Sequence, residues 1–234
     1  ARLEAAMAHL RRFTADAAHE LRTPLAALRA HLEVALARVR SAEGYRDGLL
    51  DALEQTERLG RLAEGLLTLS AVEAGDPGAL PAEPVRLDEL AREVAEFLEP
   101  VAQEQGRRFD VRAERALVVR GVPDLLKRLV INLVDNAFRH TAPGAAVELV
   151  VAADGGEACI EVRDRGAGIA AADVPHVFER FRRGRGATAG TGLGLALCRE
   201  IAARHGGRIA LKSEPGGGTT VTVRLPLVPG PVAG

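Results

Sequence analysis

Two long stretches of helical periodicity open the chain. In the first, Phe13, Ala17, Leu21, Leu25, Leu28, Leu32 and Val39 recur mostly at three- and four-residue steps, the apolar stripe of a bundle helix. In the second, from about Asp47 to Glu73, two rows run side by side: Leu49, Leu53, Thr56, Gly60, Ala63 and Leu67, and next to them Leu59, Leu62, Leu66 and Leu69. The short S-A-E-G-Y segment at 41–45 predicts a turn and an antiparallel hairpin. One hairpin of this length has too little core to stand alone. The double row therefore predicts that two hairpins pair into a four-helix bundle, as a homodimer.

G-D-P-G-A-L-P-A-E-P at 75–84 breaks the pattern and marks a domain boundary. Beyond it the periods mix. Helices are predicted over 87–105, 123–140 and 193–205. Strands are predicted over 108–112, 116–120, 147–152, 158–163, 207–212 and 219–225, with D-G-G joining the middle pair. Helices over a mostly antiparallel sheet make an α/β sandwich, so the chain as a whole is an α+β multidomain protein. The expected parts are a helical hairpin at 1–74, a linker at 75–84, a second domain at 85–228 and a tail at 229–234.

Composition changes this picture little. With 47% hydrophobic and 27% charged residues the chain is an ordinary globular protein. A net charge of −1 leaves no electrostatic footprint for nucleic acid or a membrane surface, and the lack of Trp argues against a stacking platform for single strands. Cys159 and Cys198 stand far apart, without metal spacing, and read as small buried hydrophobes. No apolar run reaches the roughly 20 residues that span a bilayer. The chain begins mid-helix, without a cap or a signal peptide, and reads as a piece of a longer protein.

The chemistry is concentrated in a few short strings. In F-T-A-D-A-A-H-E-L-R-T-P-L at 13–25, His19 lies two residues from Leu21 and faces away from the stripe. An imidazole there, in its neutral form, has one ring nitrogen free to act as a nucleophile, and the acid Glu20 follows it directly. Pro24 removes a donor one turn on and predicts a bend. Threonine at position 23 rules out the H-E-x-x-H metalloprotease pattern. In L-V-I-N-L-V-D-N-A-F-R-H-T, Asn132 and Asn136 share one helix face, and Arg139 follows. D-R-G-A-G-I at 164–169 ends a predicted strand. It also reads as a loose G-x-G-x-x-A, but no βαβ unit follows, which sets the dinucleotide reading aside. Gly190, Gly192 and Gly194 lead into a helix whose N-terminus offers backbone donors to phosphate, whereas no P-loop motif is present.

These strings, in this order and approximate spacing, resemble the phosphoacceptor and nucleotide-binding boxes of sensor histidine kinases, and the likeness covers nearly the whole chain. It implies a dimeric helical hairpin followed by an ATP-binding domain of the Bergerat (GHKL) type, a fold shared with a chaperone ATPase, mismatch-repair ATPases and type II topoisomerases. Those ATPases carry a water-activating glutamate where this chain has Asn132, which favours transfer to a side chain over hydrolysis. The implied activity is that of a protein-histidine kinase, with ATP and Mg²⁺ as cofactors. His19 takes the phosphoryl group and passes it to an aspartate on the receiver domain of a response regulator. By the same resemblance Thr23, with Glu20, belongs to an E-x-x-T pattern that implies a phosphatase activity toward that regulator. Asn136 is the Mg²⁺ ligand, Asn132 lies beside the phosphates and Arg139 stands for a phosphate-contacting lysine, while His140 replaces a common tyrosine. Asp164 reads adenine, with Gly166, Gly168 and Ile169 lining the base. Phe178 and Phe181 anchor a lid running to Gly190, with Arg180, Arg182, Arg183 and Arg185 along it. Thr191, Leu193 and Thr219 complete the nucleotide set with Gly190, Gly192 and Gly194. The other reading is a nucleotide-binding dimeric scaffold that signals by contact alone. The resemblance further implies a fragment on the cytoplasmic side, without membrane contact of its own, in a protein anchored in the inner membrane.

Overall fold

A computed structural model describes residues 2–37, 41–74, 82–113, 115–182 and 190–228. The linker residues 75–81, the expected lid at 183–189 with Arg183 and Arg185, Val39, the tail at 229–234 and the side chain of Phe13 lie outside the described residues.

The hairpin consists of α1 (Arg2–Ala37) and α2 (Ala42–Ala74). The expected turn at 41–45 is instead the first turn of α2. Ser41 caps it: the Ser41 hydroxyl accepts the Gly44 N–H at 3.1 Å and the Ser41 carbonyl accepts the Tyr45 N–H at 3.1 Å. α1 runs unbroken through Pro24, which is buried, and the Thr23 hydroxyl donates to the His19 carbonyl at 3.4 Å. His31 and Asp51, 3.5 Å apart, pin the antiparallel register.

The two apolar rows of α2 have different partners. Leu49, Leu53 and Leu67 are more than half exposed, and Leu25, Leu32 and Leu36 of α1 are open as well. Leu62 and Leu69 are fully buried, because that row packs against the second domain of the same chain and joins its core. The double row thus reflects one face left open and one face already covered. At the centre of the covered face Gly65 lets Leu193 approach, so that a Cβ on Gly65 would stand 3.3 Å from Leu193 Cδ1. Arg204 donates to the Val72 carbonyl at 3.2 Å, and Arg128 lies 3.7 Å from Glu64 across the same seam. Burial of each leucine stabilises the docking by about 2 kcal/mol. Gly65→Leu is expected to separate the two domains while leaving each folded. Small-angle scattering should read an increased radius of gyration, and an unchanged radius would refute the packing argument.

The second domain runs β1 (Glu83–Arg86), α3 (Leu87–Glu104), β2 (Arg108–Ala113), β3 (Val118–Gly121), α4 (Pro123–His140), β4 (Ala146–Asp154), β5 (Glu157–Asp164), a 3₁₀ turn at Val174–His176, α5 (Gly194–Arg204), β6 (Arg208–Glu214) and β7 (Gly218–Pro226). The five-stranded sheet has the order β2-β4-β5-β7-β6, antiparallel except for β2 against β4. α3, α4 and α5 cover one face of it, giving the α/β sandwich. β1 is an addition to the sequence reading, which ran the linker to Pro84. It pairs antiparallel with β3, and with only Val85 buried among four residues it offers no alternation to read.

Alternation elsewhere is clean. Val147, Leu149 and Val151 of β4, Ala158, Ile160 and Val162 of β5, and Val221, Val223 and Leu225 of β7 all point under the helices. α4 buries Leu126, Leu129, Leu133, Val134 and Phe138, and Phe138 meets Phe109 edge-on with ring centroids 5.4 Å apart. Among the described residues, no helix is long and apolar enough to cross a membrane.

Candidate functional site

The inward series of β5 and β7 ends on polar residues, and the site begins there. Asp164 and Thr219 face each other at the strand ends and are 8% and 7% exposed, so a carboxylate sits where the pleat would otherwise place a hydrophobe. Asp164 Oδ1 accepts the Gly166 N–H at 2.8 Å and the Thr219 N–H at 3.2 Å. Both bonds hold one oxygen, and among the described residues Oδ2 accepts no hydrogen bond. Burial raises the Asp164 carboxyl above its ordinary value, and the two backbone donors act against that shift.

The loop after Asp164 lies against its neighbours without room for side chains. Gly168 has φ 69°, and a Cβ there would overlap the Glu214 carbonyl; a Cβ on Gly166 would overlap the His140 carbonyl. Ile169 N–H donates to Ser213 Oγ at 2.8 Å, and that hydroxyl donates to the Gly218 carbonyl at 2.8 Å and lies 2.9 Å from Thr219 Oγ1. Gly168→Ala is expected to destabilise the domain by about 3 kcal/mol, from left-handed strain plus displaced backbone. Urea unfolding measures this, and a change under about 1 kcal/mol would show that the loop can give way.

α4 supplies one wall. Its apolar residues are buried beneath it, and Asn132, Asn136 and Arg139 form a half-buried row on another side. Asn132 Nδ2 is buried and has no hydrogen-bond partner among the described residues, as a donor awaiting an acceptor would be. Arg139 donates to Asp135 at 2.6 Å, and its Nη1 is 3.4 Å from the Cβ position of Gly190, so this row reaches the glycine loop. In that loop Thr191 Oγ1 accepts the Leu193 N–H at 3.4 Å, and α5 starts at Gly194. Leu193 itself is 2% exposed and faces α2, so its part is to seat the loop on the hairpin.

The F-E-R-F segment joins the loop to α1. Phe178 and Phe181 are half-buried, and Phe181 holds a left-handed φ of 60° while its N–H donates to the Gly192 carbonyl at 2.8 Å. A Cβ on Gly192 would lie 2.6 Å from the Phe181 carbonyl carbon, so glycine is required for that approach. On its other side the segment forms a cleft of about 300 Å³ with α1, lined by Asp16, His19, Glu20, Glu179, Arg180, Phe181 and Arg182. His19 is exposed as expected and opens into this cleft.

The structure thus connects Asp164, Gly166, Gly168, Ile169 and Thr219 into one network. It links Arg139, Gly190, Gly192 and the phenylalanine segment into a second, and sets His19 and Glu20 at the end of the latter. Thr23 meets the second network only through its hydroxyl on the His19 carbonyl, and among the described residues no hydrogen bond or ion pair joins Asn136 to either network. Two participants carried no readable signal: Ser213 alternates like any strand residue, and Asp16 resembles any helix-surface acid.

Residues 9–75 match the His Kinase A (phospho-acceptor) domain, and residues 121–229 match the histidine kinase-, DNA gyrase B- and HSP90-like ATPase domain. The sensor protein SphS of Synechococcus elongatus is 37% identical over 237 residues, covering 93% of this chain and 55% of SphS. The chain therefore spans about half the length of the curated relatives it matches. Histidine kinase AdeS of Acinetobacter baumannii shares the fold, with a TM-score of 0.71 at 24% identity over 89% of this chain and 98% of that one. Full-length ShkA, solved in complex with AMPPNP, has a TM-score of 0.66 at 26% identity over 96% of this chain and 45% of that one. With a His Kinase A (phospho-acceptor) hairpin and a histidine kinase-like ATPase sandwich following each other in one polypeptide, the chain belongs to the sensor histidine kinase family.

Proposed function

We propose that this chain is the catalytic portion of an autophosphorylating protein-histidine kinase. ATP lies with its adenine amine on Asp164 Oδ2 and its phosphates toward Asn132, Arg139 and the Gly190–Gly194 loop. Gly166, Gly168 and Ile169 line the base, Thr191 and Thr219 brace the surrounding loops, and Phe178 anchors the segment beside the phosphates. Asn136 is the Mg²⁺ ligand through its amide oxygen, and the ion when bound neutralises phosphate charge. A ring nitrogen of His19 attacks the γ-phosphorus, the bond to the β–γ bridging oxygen breaks, and ADP leaves. The phosphohistidine then transfers its phosphoryl group to an aspartate of a response-regulator receiver domain, and Glu20 and Thr23 support a phosphatase role in which water takes that phosphoryl group off the aspartate as inorganic phosphate.

The observation that carries this reading is the cleft shared by His19 with Glu179, Arg180, Phe181 and Arg182, a segment hydrogen-bonded to the glycine loop. The unpartnered Asn132 Nδ2 and Asp164 Oδ2 fit a polar ligand of ATP's chemistry, and the AMPPNP complex of ShkA supports an adenine nucleotide. The exposed row of Leu25, Leu32, Leu49, Leu53 and Leu67 supports a homodimer through the hairpin. The functional parts we assign are the phosphoacceptor hairpin at 1–74 and the ATP-binding domain from β1 to residue 228. In the full-length protein both face the cytoplasm from an inner-membrane anchor. Incubation with γ-labelled ATP and Mg²⁺ tests the activity: acid-labile, base-stable label on the protein is expected. Nucleotide binding without label would favour the contact-signalling scaffold.

A further inference from the structure

His205, the C-cap of α5, touches neither the cleft nor the nucleotide loops, yet both nitrogens of its ring are engaged. Val122 N–H, at the N-cap of α4, donates to Nε2 at 3.0 Å, and Nδ1 lies 2.7 Å from the Ile201 carbonyl. A carbonyl only accepts and a backbone N–H only donates. Nδ1 therefore carries the proton and Nε2 is bare, so the ring is neutral in this arrangement. The imidazole also lies close against the backbone, where a Cβ on Gly121 would stand 2.6 Å from its Cδ2.

Its position along the helix pair makes this bond matter for the distant site. α4 and α5 run antiparallel, and three contacts register them. Arg139 stands beside Gly190 at the nucleotide end, Cys198 Sγ donates to the Leu129 carbonyl at 3.6 Å in the middle, and His205 holds Val122 at the far end. α4 presents Asn132 and Asn136, and α5 begins at the glycine loop, so a slide of one helix along the other changes the distance between the two phosphate-facing parts.

We propose that His205 is a positioning residue of the nucleotide site, a neutral imidazole that locks the register of α4 against α5 and releases it when protonated. This rests on the proposed ATP-binding role of the two helices. Protonation places a second N–H against the Val122 N–H, and that bond must break. Burial holds the His205 ring below its ordinary value, and Arg204 on the same helix acts in the same direction, against the Ile201 carbonyl. On the segment across from the ring, Arg120 and Asp124 flank Gly121 and Val122. Because the folded ring binds protons less readily than the unfolded one, the contribution of the lock is complete above about pH 6.5 and falls away as the pH drops below it.

The test compares the chain with His205→Gln, whose amide both accepts and donates but does not titrate. Dissociation constants for a non-hydrolysable ATP analogue with Mg²⁺ are measured from pH 8 to pH 5.5. The ratio between the two proteins cancels the titration of the nucleotide itself. Near-equal affinity at pH 8 is expected, with the unsubstituted chain weaker by up to about tenfold at pH 5.5, the factor that one lost hydrogen bond represents. A ratio that stays flat overturns the lock and leaves the ATP reading standing. No binding by either protein at any pH overturns the ATP reading and the proposal with it. Nitrogen chemical shifts of the His205 ring supply a second readout that requires no variant. The Nδ1–H tautomer, titrating below the free-histidine range, is expected; the opposite tautomer or a charged ring at neutral pH overturns the proposal.

Discussion

His19→Gln removes acid-labile label from the chain while leaving ATP binding and stability intact. The side chain is exposed on α1, and glutamine suits a helix as well as histidine, so the change in stability falls within about 0.5 kcal/mol. An amide nitrogen is no nucleophile, and the loss in phosphorylation rate is expected to be about a thousandfold or more. Asp164 and the glycine loops lie in the other domain, so nucleotide affinity is unchanged. Quantitative labelling, thermal unfolding and nucleotide titration of both proteins check the three parts separately. Label of the same acid lability persisting on the variant would move the phosphoacceptor to another histidine and sink the assignment.

Asp164→Asn is the larger change at the nucleotide end. Asparagine Oδ1 can keep the Gly166 and Thr219 N–H donors, but the atom at the second position becomes an NH₂ where the proposed pose puts the adenine amine. A charge-assisted bond worth about 1.5–3 kcal/mol is lost and two donors are opposed, which together weaken ATP binding by about a hundredfold. Guanine nucleotides, which present a carbonyl there, should lose less. The apo protein need not suffer. A carboxyl whose folded pKa is raised by burial binds protons more readily than in the unfolded chain, so its charge costs stability above that raised value. From this group, stability rises as the pH is lowered from neutral through the raised value, and Asn removes that dependence. Calorimetric titration with ATP and with GTP, beside thermal unfolding from pH 7 to pH 4.5, tests both halves. Undiminished ATP affinity in the variant would end the role of Asp164 as adenine reader.

Much of the fold was legible because the periods are strong. α3 and α4 start and stop within a residue of the expected bounds, since Leu87, Leu90, Ala91, Val94 and Leu98 form one stripe and Pro123 opens α4 at its first position. The β4–β5 pair follows from alternation around D-G-G, and the β6–β7 pair from the two strands predicted at 207–212 and 219–225. Less readable were the short and the capped elements. β1 has one buried residue, and Ser41 pulls helix into what composition reads as a turn.

The site divides along similar lines. His19, Asn132, Asn136, Asp164 and the glycines stand in strings whose order and spacing resemble the family's boxes, and the family could be read from them. Contacts between such strings depend on atoms far apart in the chain. That Leu193 seats on Gly65, that Phe181 bonds to Gly192 while its segment closes a cleft over His19, and that His205 caps α4 rather than meeting solvent follow from packing. The sequence by itself determined the hairpin, the sandwich and the family, since local periodicity and short motifs encode these. The tertiary structure alone decided which row of α2 is covered and what His19 faces, because burial belongs to surfaces that meet only once the chain has folded.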